Sequence, residues 1–280
     1  MGDWIIAFVC LIVIFMCLAP MLTLLSRSLS DPRSLLRNEV TLLPKGLNFN
    51  AYQTILSDSM YTRSLVWTAI LTGICMALSM FMTTICAYPL IYDNLKGRRF
   101  FNAMILFTMY FGAGLIPNYL LYNDLGLLNN PLVLIVPNCL SVFNVIIMRS
   151  FLFGIPDSLR ESAEIDGAGP IRVLVNIYIP LSTSVIATLT LFYAVGRWNG
   201  YGDALFYMFR NRDYYPIQYL LYNIISGMQN IDPGQTDIPM GASDTYKAAS
   251  VMFATVPILM IYPWLQRYFI HGVTLGSEKG

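Results

Sequence analysis

The sequence predicts an all-α polytopic membrane protein, and its composition and charge pattern carry that prediction. Hydrophobic residues make up 56% of the 280 and charged residues only 12%, well outside the usual range of soluble domains. Apolar stretches free of Asp, Glu, Lys and Arg recur along the chain. Their lengths suit helices that cross about 30 Å of hydrocarbon.

The stretches define six spans within a single transmembrane domain, 1–280. The first, Trp4 to Leu25, follows Met1, Gly2 and Asp3 without the basic region and cleavage site of a signal peptide, and so reads as a retained anchor. Ser64 to Tyr92, Phe100 to Asn123, Leu125 to Met148 and Val173 to Gly196 follow, and Ala248 to Gln266 is the last. Tyr214 to Ile231 is also uncharged, but Gln218, Asn223, Ser226, Gln229 and Asn230 make it an interfacial or external helix. Pro117, Pro137, Pro257 and Pro263 fall inside spans, where prolines kink helices.

Orientation follows from the short loops. The segment Asp93 to Arg99 carries Lys96, Arg98 and Arg99, whereas Tyr122 to Pro131 has no basic residue, which sets the former in the cytoplasm. Both termini and the loop 154–172 are then expected inside, with 26–63 and 197–247 outside.

Several function classes are disfavoured. The cysteines Cys10, Cys17, Cys75, Cys86 and Cys139 lie in spans at no ligand or redox spacing, and the single histidine, His271, supports neither a metal site nor a catalytic triad. No phosphate-binding G-x-x-x-x-G-K-[ST] loop is present, and a net charge of +1 is no footprint for nucleic acid. No ionisable residue falls inside the spans as drawn, which argues against ion-coupled carriage.

The acidic loop stands apart. Glu161, Glu164 and Asp166 lie within six positions, and placing all three at mid-bilayer would cost roughly 8 to 10 kcal/mol at ~2.5 to 3.5 each. Ser158-Leu159-Arg160-Glu161 reads as a capping box, predicting a helix that begins at Leu159. Gly167 suits the left-handed residue that ends this helix, and Pro170 the first turn of the next. On local physics alone, Glu161 is equally well a helix cap on a solvated face or a docking residue.

The spacing Glu161-x-Ala163-x-x-x-Gly167, then nine residues, then Ile177-x-Ile179-Pro180, resembles the signature of permease subunits of binding-protein-dependent ABC importers. Ser162 and Ile179 replace that pattern's alanine and leucine. Phe192, Trp198-Asn199 and the ending from Gln266 resemble the carbohydrate branch that includes the second permease of the maltose importer. Gly114-Leu115-Ile116-Pro117 and Leu125-Gly126-Leu127 are similar to permeases for alginate and rhamnogalacturonan fragments.

The resemblance implies a subunit of the bacterial cytoplasmic (inner) membrane that catalyses nothing itself and forms an oligosaccharide pathway with a homologous second permease, as a heterodimer. Two ABC ATPase subunits would bind ATP and Mg, leaving this chain without a cofactor, and an extracytoplasmic solute-binding protein would deliver substrate. The loop 154–172, between spans four and five, would be the coupling helix, with Ser158, Arg160, Glu161, Ala163, Glu164, Asp166, Gly167 and Ala168 at the ATPase cleft. Small residues at Ala163 and Gly167 would suit a close-packed cleft, and the tail from Gly272 would approach the ATPase interface. An ATP-independent carrier or channel for small polar solutes is the alternative.

Residues of the path are less sharply marked. Tyr193, Arg197, Trp198 and Asn199 end the fifth span, where they suit a sugar, although interfacial anchoring is the favoured reading. Asn138, Ser141 and Asn144, with Asn118, either line a polar path or bond between helices.

Overall fold

Broken helices, more than straight ones, set the architecture. The computed structural model describes residues 2–227 and 244–260, and among them every regular element is helical. The chain divides into two compact units, one from 1–66 with 216–259, the other from 67–215 with 260–280.

In the first unit, helix α1 (Gly2–Ser28) is 27 residues long, about 40 Å at 1.5 Å per residue. Its apolar stretch is exposed along its length, as a helix bathed in lipid would be. The Ser28 hydroxyl shares a hydrogen bond of 2.8 Å with the Tyr52 hydroxyl of α2 (Asn50–Ser57), which ties down its end. Ile55 packs with Tyr61, from the start of α3 (Ser59–Ala87), and with Ile217, Leu220, Ala249 and Ala254. Residues 244–260 are helical, and the hydroxyls of Tyr61 and Ser250 meet at 3.0 Å.

The expected interfacial segment from Tyr214 forms a shorter helix, Ile217–Ile225, because Pro216 lacks an N–H and takes the N-cap position. Part of its expected C-terminal end lies outside the described residues. So do the end of the sixth span, His271 and the tail from Gly272.

The second unit holds most of α3, followed by α4 (Arg98–Tyr110), α5 (Leu115–Asp124), α6 (Val142–Phe153), α7 (Asp157–Ile165) and α8 (Thr183–Trp198). Among the described residues, only Trp4–Ser28 and Ser59–Ile91 are long and apolar enough to cross a membrane alone, and counting each bent pair as one span brings the total to five.

The third, fourth and fifth spans are therefore not the straight helices that their uncharged runs imply. α4 and α5 meet at 111°. Gly114, at φ 88° and ψ 177°, adopts at this break a conformation barred to side chains bearing a Cβ. Short 3₁₀ turns at Pro131–Leu134 and Val136–Asn138 precede α6 at a 40° bend. The segment Pro170–Leu181 meets α8 at 83°, after a π-helical turn at Leu174–Tyr178 and Pro180, which removes an amide donor.

Helices also outrun the uncharged spans. Arg27, Arg63, Arg149 and Arg197 lie in α1, α3, α6 and α8, so the ionisable-free reading of the spans does not extend to the helices that contain them. Arg197 is 7% exposed, and this is possible because its charge is paired.

Candidate functional site

Two features stand out, an acidic helix seated on a tyrosine platform and a polar cavity. Helix α7 covers Asp157–Ile165, with Pro156 at its N-cap in extended conformation and no side-chain cap. The capping box is thus not formed. Helix geometry starts at Asp157, so Ser158 is already inside the first turn and its hydroxyl cannot reach the amide that a cap would take. Its carbonyl instead accepts from Ser162 Oγ at 2.8 Å. Asp157 supplies the negative charge favoured at the first turn.

The stop was legible. Gly167 has φ +80°, its amide donates to the Glu164 carbonyl at 3.0 Å, and the Ala168 amide donates to the Ala163 carbonyl at 2.9 Å. These two bonds make a Schellman closure. A Cβ on Gly167 would meet nothing within 4 Å, so backbone conformation rather than crowding calls for glycine there. Ala163 and Ala168 pack against this chain's own core of Tyr88, Met148, Val173 and Tyr178, which gives their small size an internal cause.

Arg160 organises the charges. It pairs with Asp157 at 3.1 Å and Glu164 at 3.3 Å, and its guanidinium lies 5.0 Å over the Tyr92 ring. Partial burial opposes its charge, but Asp157 and Glu164 outweigh that and hold its pKa above the ordinary arginine value. Glu161 and Asp166 are exposed and make no ion pair among the described residues. Beneath the helix, Tyr88 hydroxyl hydrogen-bonds Tyr92 hydroxyl and donates to the Pro170 carbonyl at 2.9 Å, while Tyr178 packs edge-on at 5.3 Å.

The second feature is a cavity of about 490 Å³, walled by α3, the Pro137–Asn144 segment, α8 and the turn after it. It brings together Asn138, Ser141, Asn144, Tyr193 and Arg197. Asn118, on α5, and Trp198 and Asn199, at the end of α8, are not on its walls. Asn199 turns its amide back to the Val195 carbonyl at 3.1 Å.

Asp203 is the residue that sequence reading missed. Its Oδ2 accepts from Arg197 Nη1 at 2.9 Å and from Asn138 Nδ2 at 2.8 Å. Arg197 is also fixed by the carbonyls of Leu134 at 3.0 Å and Gly200 at 3.2 Å. The turn from 199 to 202 folds the acid back over the arginine, and the glycines at 200 and 202 were its only sequence signal. Tyr193 joins the walls, sharing a 2.6 Å bond with Thr83 and accepting from the Ser141 amide at 3.1 Å. No group of three or more His, Cys, Asp or Glu able to hold a metal occurs among the described residues.

Residues 69–275 match the family described as the inner membrane component of binding-protein-dependent transport systems. The chain belongs to that family. Among similar proteins, a polygalacturonan/rhamnogalacturonan transport system permease protein, YtcP of Bacillus subtilis (strain 168), is 35% identical over 94% of this chain and 93% of its own. Protein LplC of the same organism is 37% identical over 93% of this chain and 89% of its own. A chain from the crystal structure of a bacterial ABC transporter involved in import of the acidic polysaccharide alginate superposes with a TM-score of 0.86. It is 32% identical, and 96% of each chain is covered.

Proposed function

We propose that the chain is the permease subunit of an ABC importer for oligosaccharides derived from polysaccharides, of the galacturonan, rhamnogalacturonan or alginate kind. It forms the pathway with a homologous second permease in the bacterial cytoplasmic membrane, and two ATPase subunits that bind ATP and Mg drive it. A solute-binding protein outside the membrane delivers substrate. The chain itself performs no catalysis and holds no cofactor.

One observation supports the coupling role above the rest. Helix α7 is held from below by Tyr88, Tyr92 and the core, while Glu161 and Ile165, the latter 86% exposed, face away from it. A rigid base under an exposed face that is part apolar and part acidic is what a docking helix requires. In this reading α7 sits in the ATPase cleft on the cytoplasmic side, and ATPase closure biases the spans between inward and outward states through differential contacts. The cavity at Asn138, Asn144 and Tyr193 lies on the substrate path.

The test is reconstitution of the complex in vesicles with its ATPases and solute-binding protein. ATPase stimulation and uptake by a panel of galacturonan, rhamnogalacturonan and alginate oligosaccharides are expected. Uptake by this chain without any ATPase would overturn the reading in favour of a carrier or channel.

A further inference from the structure

We infer that the cavity between α3, α6 and α8 is a sugar subsite that grips the hydroxyl face of an uncharged pyranose and gives no grip to a uronate carboxylate. The inference rests on the reading of the chain as an oligosaccharide permease and says which chemistry its path recognises.

The first argument is an amide with nothing to bond. Asn144 is only 5% exposed and lines the cavity. Its backbone N–H donates to Ser141 Oγ, but its side-chain amide makes no hydrogen bond among the described residues. The amide is not sealed off but opens onto the cavity, within reach of a group from outside the chain. An amide offers a donor and an acceptor together, the pair that neighbouring hydroxyls of a sugar ring complement.

The second argument concerns charge. Arg197 and Asp203 are the charged residues on the walls, and they are paired. Asp203 Oδ2 already accepts from both Arg197 and Asn138, while Oδ1 takes no hydrogen bond among the described residues. Oδ1 therefore remains an acceptor for a hydroxyl. A second carboxylate brought here meets the Asp203 charge and finds Arg197 Nη1 already engaged with Asp203 and the Leu134 carbonyl. Like charges at such a distance disfavour one another.

Apolar rings complete the match. Phe143 and Phe192 line the same cavity and remain 53% and 42% exposed, leaving aromatic surface for the C–H face of a sugar. The volume, about 490 Å³, falls in the usual range for small-molecule sites, roughly 300–1,000 Å³. Uronate units of an acidic oligosaccharide pass this cavity without being held by their carboxylates.

The complex in lipid nanodiscs, without its binding protein, is titrated with a galactose trisaccharide and with the corresponding galacturonate trisaccharide, followed by saturation-transfer NMR. The two probes differ in the C6 group alone. Tighter binding of the neutral sugar is expected. Asn144→Ala weakens it about ten-fold, the loss of a well-made hydrogen bond or two, without lowering the thermal midpoint of the complex. Asp203→Asn, nearly isosteric, shifts the preference toward galacturonate by about ten-fold or more, and copurification of the ATPases verifies that each variant assembles. Equal or tighter binding of galacturonate by the wild type overturns the inference, as does an unchanged preference in Asp203→Asn or unchanged binding in Asn144→Ala. ATP-driven uptake by the full wild-type system is measured alongside. If uptake is present, only the subsite falls; if no sugar is taken up, the permease reading falls with it.

Discussion

Replacing Glu161 separates docking from local helix stability, and the structure makes the two outcomes easy to tell apart. Helix α7 begins at Asp157 with Pro156 as its cap, so Glu161 lies beyond the first turn and satisfies no terminal amide. Its neighbour Arg160 is taken by Asp157 and Glu164. Glu161→Gln and Glu161→Ala therefore leave the stability of this chain within about 0.5 kcal/mol, the usual range for exposed positions free of special contacts. Alanine, the better helix former, has no cap to lose.

Docking sets a different magnitude. A charge-assisted hydrogen bond from a basic group of the ATPase to this carboxylate is worth about 1.5 to 3 kcal/mol. Its loss weakens association about ten- to 150-fold. Both substitutions should then strip ATPase from the purified complex, or leave hydrolysis running without uptake, while the membrane subunits remain folded. Association is read by copurification across a dilution series, and coupling by sugar taken up per ATP hydrolysed in vesicles. Wild-type association and coupling in Glu161→Gln would refute the argument and leave the exposed acid as a solvated face of the helix.

Two further perturbations probe the seating of the same helix. Gly167→Ala puts a Cβ at φ +80° where no atom crowds it, so the cost is conformational alone, about 1 to 2 kcal/mol, and Gly167→Asn recovers part of it because asparagine tolerates that region; proteolysis of the loop 154–172 should follow the order alanine, asparagine, wild type, and equal rates would contradict it. Tyr92→Leu removes the ring under Arg160, worth about 0.5 to 1 kcal/mol, and lowers uptake per ATP, whereas Tyr92→Phe keeps the ring, loses only the bond to Tyr88 and falls between leucine and wild type in the same assay.

The membrane class was legible because it depends on charge-free length, a property that survives any local irregularity. The end of α7 was legible for a similar reason, since Gly167 supplies a conformation that other residues avoid. Its start was misread. Ser158 and Glu161 have the spacing of a capping box, but Pro156 and Asp157 begin the helix earlier and take Ser158 out of register. The breaks at 111–114 and 182 were also hidden within uncharged runs, where a reading by charge-free length cannot distinguish a straight helix from a bent one. The cavity lies at a third break, the one before α6, which places Pro137, Asn138 and Ser141 on its walls. Asn138 and Asn144 were visible as polar residues in an apolar run, whereas Asp203 gains its meaning only when the turn after Trp198 returns it to Arg197.

The two features share one helix. Tyr88, which donates to the Pro170 carbonyl under the acidic loop, follows directly on the last residue of α3, and Thr83, which bonds Tyr193 at the cavity wall, lies five positions earlier. Tyr193 in turn holds the Ser141 amide at the start of α6, three residues from the unpartnered Asn144. The carbonyl of Leu90, just past α3, accepts from Arg98 Nε at 2.9 Å and from Arg149 Nε at 3.4 Å, joining α4 and α6 to the same end. If α7 moves against this base, either the Tyr88–Pro170 bond breaks or α3 moves with it. In the second case the wall carrying Thr83 shifts against α8, and the hydroxyl that fixes Ser141 must follow or be released. Energetic coupling needs an element that both sites bias. In this chain the end of α3 is the element that the acidic loop and the cavity both touch.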